Sequence, residues 1–186
     1  MRKLLVLAAL VVLPLLSGCF PLAVTGVGAA AVMASDRRTT GIYIEDENIE
    51  WKAIGRMSDR FKGAHVNAIS YNRTVLLTGE VPSEEMKSQI AEEVRTIPSV
   101  VTVKNELQVA GASSLAARGN DSALTTTVKS RMFNNGKFSP NHVKVVTEAG
   151  TVYLMGLVSQ AEGDAAAEIA RTTSGVRGVV KVFEYR

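Results

Sequence analysis

The sequence predicts an α+β protein made of two copies of one small unit, each ordered α-β-β-α-β, with a three-stranded mixed sheet packed on two helices. Three observations carry this prediction. The octapeptide TVLLTGEV at Thr74–Val81 returns as TVYLMGLV at Thr151–Val158, an offset of 77 residues. At the same offset His65-Val66 pairs with His142-Val143, and after a two-residue gap Ile90-Ala91 pairs with Ile169-Ala170, Val100-Val101 with Val179-Val180 and Val103 with Val182. Apolar residues recur with a helical period before that octapeptide in both copies and with a period of two within it. Duplication explains this series better than chance. Two copies are too few for a solenoid, so each is read as a small domain.

The elements follow in order. A first helix carries an apolar stripe at i, i+4, i+8: Ile49, Ala53 and Met57 in copy one, Leu124, Val128 and Met132 in copy two. A hairpin comes next, with His65–Tyr71 meeting Thr74–Val81 and His142–Thr147 meeting Thr151–Val158. Its shared Val, Leu, Gly and Val lie two apart and so share one face. Tight hairpins favour Asn-Gly; Asn72-Arg73 and Ala149-Gly150 each keep half of that signal. In copy two Ser159 and Glu162 form a capping box for the second helix. In copy one Pro82-Ser83 opens a helix striped by Met86, Ile90, Val94 and Ile97, and Pro98 and Gly175 stop the two helices. A last strand, Val100–Val109 or Val179–Tyr185, closes each unit. Helices then cover one face of each sheet.

The chain is expected to divide into a signal peptide at 1–18, a lipidated tether at 19–44, domains at 45–109 and 121–186, and a linker at 110–120. Arg2-Lys3, the apolar run Leu4–Leu16 and the small pair Ser17-Gly18 have the layout of a secretory signal. The motif LSGC at Leu16–Cys19 resembles the lipobox of bacterial lipoproteins. That resemblance implies cleavage before Cys19 and acylation of Cys19, which is the single cysteine of the chain. An uncleaved signal anchor is the alternative, against which Pro14, Gly18, Pro21, Gly26 and Gly28 punctuate the span. Phe20, rather than Asp, follows the cysteine; by the sorting pattern of Gram-negative lipoproteins this implies the outer membrane. Once Arg2 and Lys3 leave with the signal, 19 basic residues face 18 acidic ones. A nearly neutral exported protein has no footprint for nucleic acid.

The α-β-β-α-β order and the Val-x-Leu-x-Gly-x-Val core resemble the BON domain of bacterial periplasmic and outer-membrane proteins. With the lipobox, the whole chain resembles the dual-BON outer-membrane lipoproteins. The resemblance implies a role in envelope integrity and at the division site, with anionic phospholipid bound by the first helix of the second domain. It implies no cofactor. The residues suggest no catalysis, no small-molecule substrate and no metal: nucleophile elbow, phosphate loop and clustered ligand spacing are all missing from the sequence. His65 and His142 sit at equivalent positions and read as inherited fold geometry.

Charge separates the copies. Residues 35–110 carry 10 basic and 12 acidic side chains, and residues 111–186 carry 9 and 6. Glu45, Asp46, Glu47 and Glu50 crowd the first helix of copy one, whereas Lys129, Arg131 and Lys137 follow Asp121 in copy two. Lys129 and Phe133 lie four apart, off the apolar stripe. A cationic face with an aromatic edge suits anionic headgroups; periodicity alone favours Phe133 and Phe138 filling the core. With the resemblance added, the expected lipid-binding set is Ser122, Leu124, Thr126, Lys129, Arg131, Phe133, Lys137 and Phe138. Trp51, off its stripe and near Ile54, marks a contact with an envelope protein partner or packing against the tether.

Overall fold

The computed structural model describes residues 36–186; the signal segment, Cys19 and the tether as far as residue 35 lie outside the described residues. Helix α1, Thr40–Arg60, buries Asp46, Ile49, Ala53 and Met57 and is capped by the Thr39 side chain, which accepts from the Ile42 amide. It therefore takes in the last five residues of the stretch expected to be tether. Strands β1 (His65–Tyr71) and β2 (Thr74–Val81) follow, then α2 (Glu84–Arg95), β3 (Thr102–Asn105) and β4 (Gln108–Val109). In the second copy come α3 (Leu115–Phe133), a single 3-10 turn at Pro140–His142, β5 (Lys144–Glu148), β6 (Thr151–Val158), α4 (Gln160–Arg171) and β7 (Gly178–Tyr185). The last strand expected of copy one is thus split at Glu106-Leu107. Its register on β2 is unchanged by the break, with Leu77 opposite Asn105 and Glu80 opposite Gln108.

Both sheets are mixed. In each, the hairpin is antiparallel and the last strand joins the repeated strand in parallel. The turns Asn72-Arg73 and Ala149-Gly150 hold positive φ at both positions, 50° and 63° in the first and 48° and 76° in the second. This is the pattern of a type I′ turn, whose twist matches that of the strands it joins. Each turn is fastened by a buried carboxylate on the preceding helix. Asp46 accepts from the amides of Asn72 and Arg73 at 2.8 and 2.7 Å, and Asp121 from those of Ala149 and Gly150 at 2.9 and 2.8 Å. The acidic start of copy one is therefore partly internal wiring. Glu50 likewise accepts from the Ser70 amide at 2.7 Å and pairs with Lys144 of the other copy at 2.6 Å.

The repeated octapeptide has two faces with different duties. Its shared residues, Val75, Leu77 and Val81 or Val152, Leu154 and Val158, pack against the helices of their own copy. The residues between them do not match, and they build a third cluster in which Tyr71 and Leu76 of one sheet meet Tyr153 and Met155 of the other. The helix-free faces of the two sheets thus cover one another, a sheet-on-sheet packing. Burial of Tyr153 there pushes its hydroxyl up to about 12.

The end of the tether is tied to both copies. Arg38 pairs with Asp36 and Asp46 at 2.7 Å each and lies 4.1 Å from the centre of the Tyr71 ring. Arg37 forks onto Glu162 at 2.7 Å through both nitrogens and donates to the Leu157 carbonyl at 2.9 Å. The bond from Arg37 is the main cause that holds the Glu162 carboxyl down at about 2. Its folded value lies below its unfolded one, so the stabilisation is complete above the ordinary carboxylate range and is lost as pH falls toward 2. Arg37→Ala is expected to lower the urea midpoint at pH 7 and to flatten its fall between pH 5 and 2.5. A slope equal to that of the wild type would count against the pair.

Candidate membrane-docking face of the second copy

Helix α3 begins where a linker was expected. The Ser114 side chain accepts from the Ala117 amide and starts the helix at Leu115, and the run Leu115-Ala116-Ala117-Arg118 propagates it well. One side of the helix buries Asp121, Leu124, Val128 and Met132. At 3.6 residues per turn the opposite side gathers Leu115, Ser122, Thr126, Lys129 and Phe133 within an arc of about 60°. All five are exposed. Leu115 is 85% exposed and Phe133 75%, and they stand five turns apart, about 27 Å along the axis. Between them, the Ser122 and Thr126 hydroxyls donate to carbonyls four residues back, Arg118 and Ser122, at 3.0 Å each. Those donors are satisfied within the helix, so the face can meet an interfacial layer without leaving them unpaired.

The cations are placed unequally. Lys129 is exposed over its surface, yet protein atoms crowd its ammonium. Desolvation first, and the like charge of Lys144 second, hold its pKa below the ordinary lysine value. Lys137 is exposed on the loop after α3, whose amide at that residue donates to Asn135 at 2.7 Å. Arg131 faces the other way. It donates to the Ile169 carbonyl at 2.8 Å and to the Thr173 and Thr172 hydroxyls at 2.5 and 3.1 Å, tying down the C-terminal turn of α4.

Of the eight residues expected to meet lipid, Ser122, Thr126, Lys129, Phe133 and Lys137 thus lie on the outer surface. Leu124 does not: it is 8% exposed and belongs to the buried stripe, as its i, i+4, i+8 spacing already required. Phe138 is half-buried against the second core. Leu115 was missed because its segment read as linker. The signal for it was present, since Ser114 is a good N-cap and Leu115 lies five whole turns before Phe133.

In copy one, Ile44, Trp51 and Ile54 are 51%, 70% and 47% exposed. They fall within about 80° of one another around α1, with the exposed Glu47 among them. Trp51 and Ile54 therefore come together on the outer face of α1. Among the described residues no helix is long and apolar enough to cross a membrane.

The family model of the BON domain matches residues 45–111 and again 120–186. The chain is similar to the Outer membrane lipoprotein DolP of Haemophilus influenzae, 42% identical over 173 residues that cover 91% of this chain and 90% of that one. It is also similar to the 21 kDa hemolysin of Actinobacillus pleuropneumoniae, 33% identical over 81% of this chain and 79% of that protein. The Osmotically-inducible protein Y of Escherichia coli is 28% identical over 83% and 80%. Two matched segments, each an α-β-β-α-β unit built around the same glycine-bearing strand, make this chain a member of the BON-domain family with two copies of the domain in tandem.

Proposed function

We propose that the chain is a non-enzymatic outer-membrane lipoprotein, anchored through acylated Cys19, whose second domain docks on anionic phospholipid through the outer face of α3. Two acyl chains or more hold such a protein without further help, at about 0.8 kcal/mol per buried methylene. The protein contact therefore guides where in the membrane the chain resides, toward regions rich in anionic lipid such as the division site, and in this way supports envelope integrity. The observation that carries the reading is the pair of solvent-facing apolar residues, Leu115 and Phe133, on one side of a helix that also presents Lys129 and leads to Lys137. The similarity to an outer-membrane lipoprotein supports the anchor and the compartment.

The test uses residues 20–186, which lack the acylated cysteine, and vesicles with and without anionic lipid. The wild-type chain is expected to sediment with anionic vesicles and to leave neutral ones in solution. Each cation near such a surface contributes about 1 kcal/mol. Lys129→Glu with Lys137→Glu is therefore expected to weaken binding by at least roughly tenfold, and Phe133→Ser to weaken it at every salt concentration. Equal binding by wild type and the charge-reversed form would remove the α3 face from the site.

A second reading rests on α1. The exposed Ile44, Trp51 and Ile54 in the acidic copy suit a protein partner in an envelope or outer-membrane assembly complex, with lipid contact incidental. Indifference of the chain to anionic lipid would put this reading first.

A further inference from the structure

We propose that His65, Glu80 and Glu148 form a binding site for a divalent transition-metal ion, zinc by its donor set, between the two domains. His65 opens β1, and Glu80 lies directly opposite it on β2. Glu148 ends β5 of the other domain. One donor atom of each lies within 4.8 Å of the other two. The sequence reading found no ligand spacing because 15 residues separate the first pair and the third donor comes from the other copy, 68 residues further on. Packing the two sheets face to face is what brings the three together.

The surroundings are those of a site short of positive charge. Glu80 and Glu148 are 7% and 6% exposed. Glu80 accepts from the Ser113 amide at 3.1 Å and faces His65 Nδ1 at 2.9 Å. Glu148 Oε2 accepts from the Asn67 amide group at 2.8 Å and the Thr78 hydroxyl at 3.3 Å. Among the described residues, neither carboxylate has a lysine or arginine as hydrogen-bond or ion-pair partner. Two buried carboxylates with a single imidazole between them leave a charge that a bound dication balances.

A cavity of about 380 Å³ opens beside the cluster, lined by His65, Asn67, Asp121 and Glu148 and large enough to supply a water as the fourth ligand. Arg118 is the one arginine or lysine in its lining, and its Nε donates to the Ser113 hydroxyl at 3.2 Å. Tetrahedral zinc with nitrogen and oxygen ligands at about 2.0–2.2 Å holds those atoms about 3.3–3.5 Å apart. His65 Nδ1 and Glu80 Oε2, at 2.9 Å, would part by about half an ångström to reach that spacing, and the Glu148 carboxylate, within 4.8 Å of both, would close in by up to about 1.5 Å. An imidazole among the donors favours zinc over magnesium or calcium, which take all-oxygen shells. The duplication supplies a control. His142 is the counterpart of His65, but Leu157 stands where copy one has Glu80, so the second copy lacks the set.

The full chain carrying Cys19→Ser, purified in detergent micelles so that no thiol competes, is titrated with zinc against a chromophoric chelator. One zinc per chain is expected, with magnesium failing to displace it. His65→Gln and Glu148→Gln are each expected to weaken binding by at least about tenfold, and His142→Gln to leave it unchanged. In ¹⁵N spectra of the same protein, zinc is expected to move the ring nitrogens of His65 and not those of His142. The ring shifts decide the matter even if Glu148→Gln fails to fold. Unchanged affinity in His65→Gln, or a His65 ring that zinc leaves unmoved, overturns the proposal.

Discussion

Gly79→Ala is expected to destabilise the protein by about 3–6 kcal/mol, a large part of the 5–15 kcal/mol that holds a typical domain folded. Two costs add at this position. Gly79 has φ +115°, a region closed to side chains, and a Cβ there would overlap the His65 carbonyl oxygen while standing 3.0 Å from its carbon and 3.3 Å from Val66 Cα. The obstacle is backbone of the paired strand, so no rotamer change relieves it. Gly156 meets the same obstacle, since its Cβ would overlap the His142 carbonyl oxygen, but it lacks the positive φ. Gly156→Ala should therefore cost less than Gly79→Ala. Gly55 in α1 has no atom within 4 Å of an added Cβ, and Gly55→Ala is expected to stabilise by about 0.5–1 kcal/mol through helix propensity. Urea unfolding of the three variants reads this order. Equal costs at Gly79 and Gly55 would refute the steric account.

The same glycine shows why the fold was legible. A strand position that must be Gly in both copies for a steric reason survives duplication, and so do Val75, Leu77 and Val81, which fill their own domain's core. Residues that do the same thing in both copies stay alike and announce themselves. What the sequence hid lies in the positions that differ. Leu76 and Tyr153, Thr78 and Met155, Glu80 and Leu157 alternate with the shared residues and face the other domain, where the two copies meet different surroundings. Period-two reading told that they share a face but not what covers it. The docking face was half legible for a related reason. The buried stripe of α3 fixes its outer side by geometry, which puts Leu124 inside against its place in the expected lipid-binding set, whereas Phe133, which periodicity favoured for the core, is exposed. Arg131 escaped the argument because its partners, Ile169, Thr172 and Thr173, are distant in sequence.

This division bears on function. The two domains are held by one interface, by the Lys144–Glu50 pair and by the Arg37 and Arg38 contacts at the tether's end. A surface on α1 and a surface on α3 are therefore presented by one body, and Arg37 and Arg38 just before α1 are fixed to both copies. The docking of α3 proposed above would then be coupled to the orientation of the exposed Trp51 face, through the packed interface rather than through a linker.

Asp46→Ala is expected to cost about 3–5 kcal/mol, more than Asp121→Ala, although both residues perform the same turn-fastening task. Each carboxylate accepts two turn amides. Losing only those bonds costs about 1–3 kcal/mol, the expectation for Asp121. Asp46 accepts two bonds more, from the Ser70 hydroxyl at 2.6 Å and from Arg38 at 2.7 Å. The Arg38 guanidinium is 6% exposed and is sandwiched near the Tyr43 and Tyr71 rings. Removing Asp46 leaves that cation buried with Asp36 as its remaining carboxylate, and breaking a buried pair from one side is dearer than deleting both partners. Arg38→Met combined with Asp46→Ala should accordingly recover part of the stability lost in Asp46→Ala alone, a non-additivity of at least about 1 kcal/mol in urea unfolding. Additive losses would mean that Arg38 and Asp46 act separately, and the difference between Asp46 and Asp121 would then have to come from the Ser70 bond.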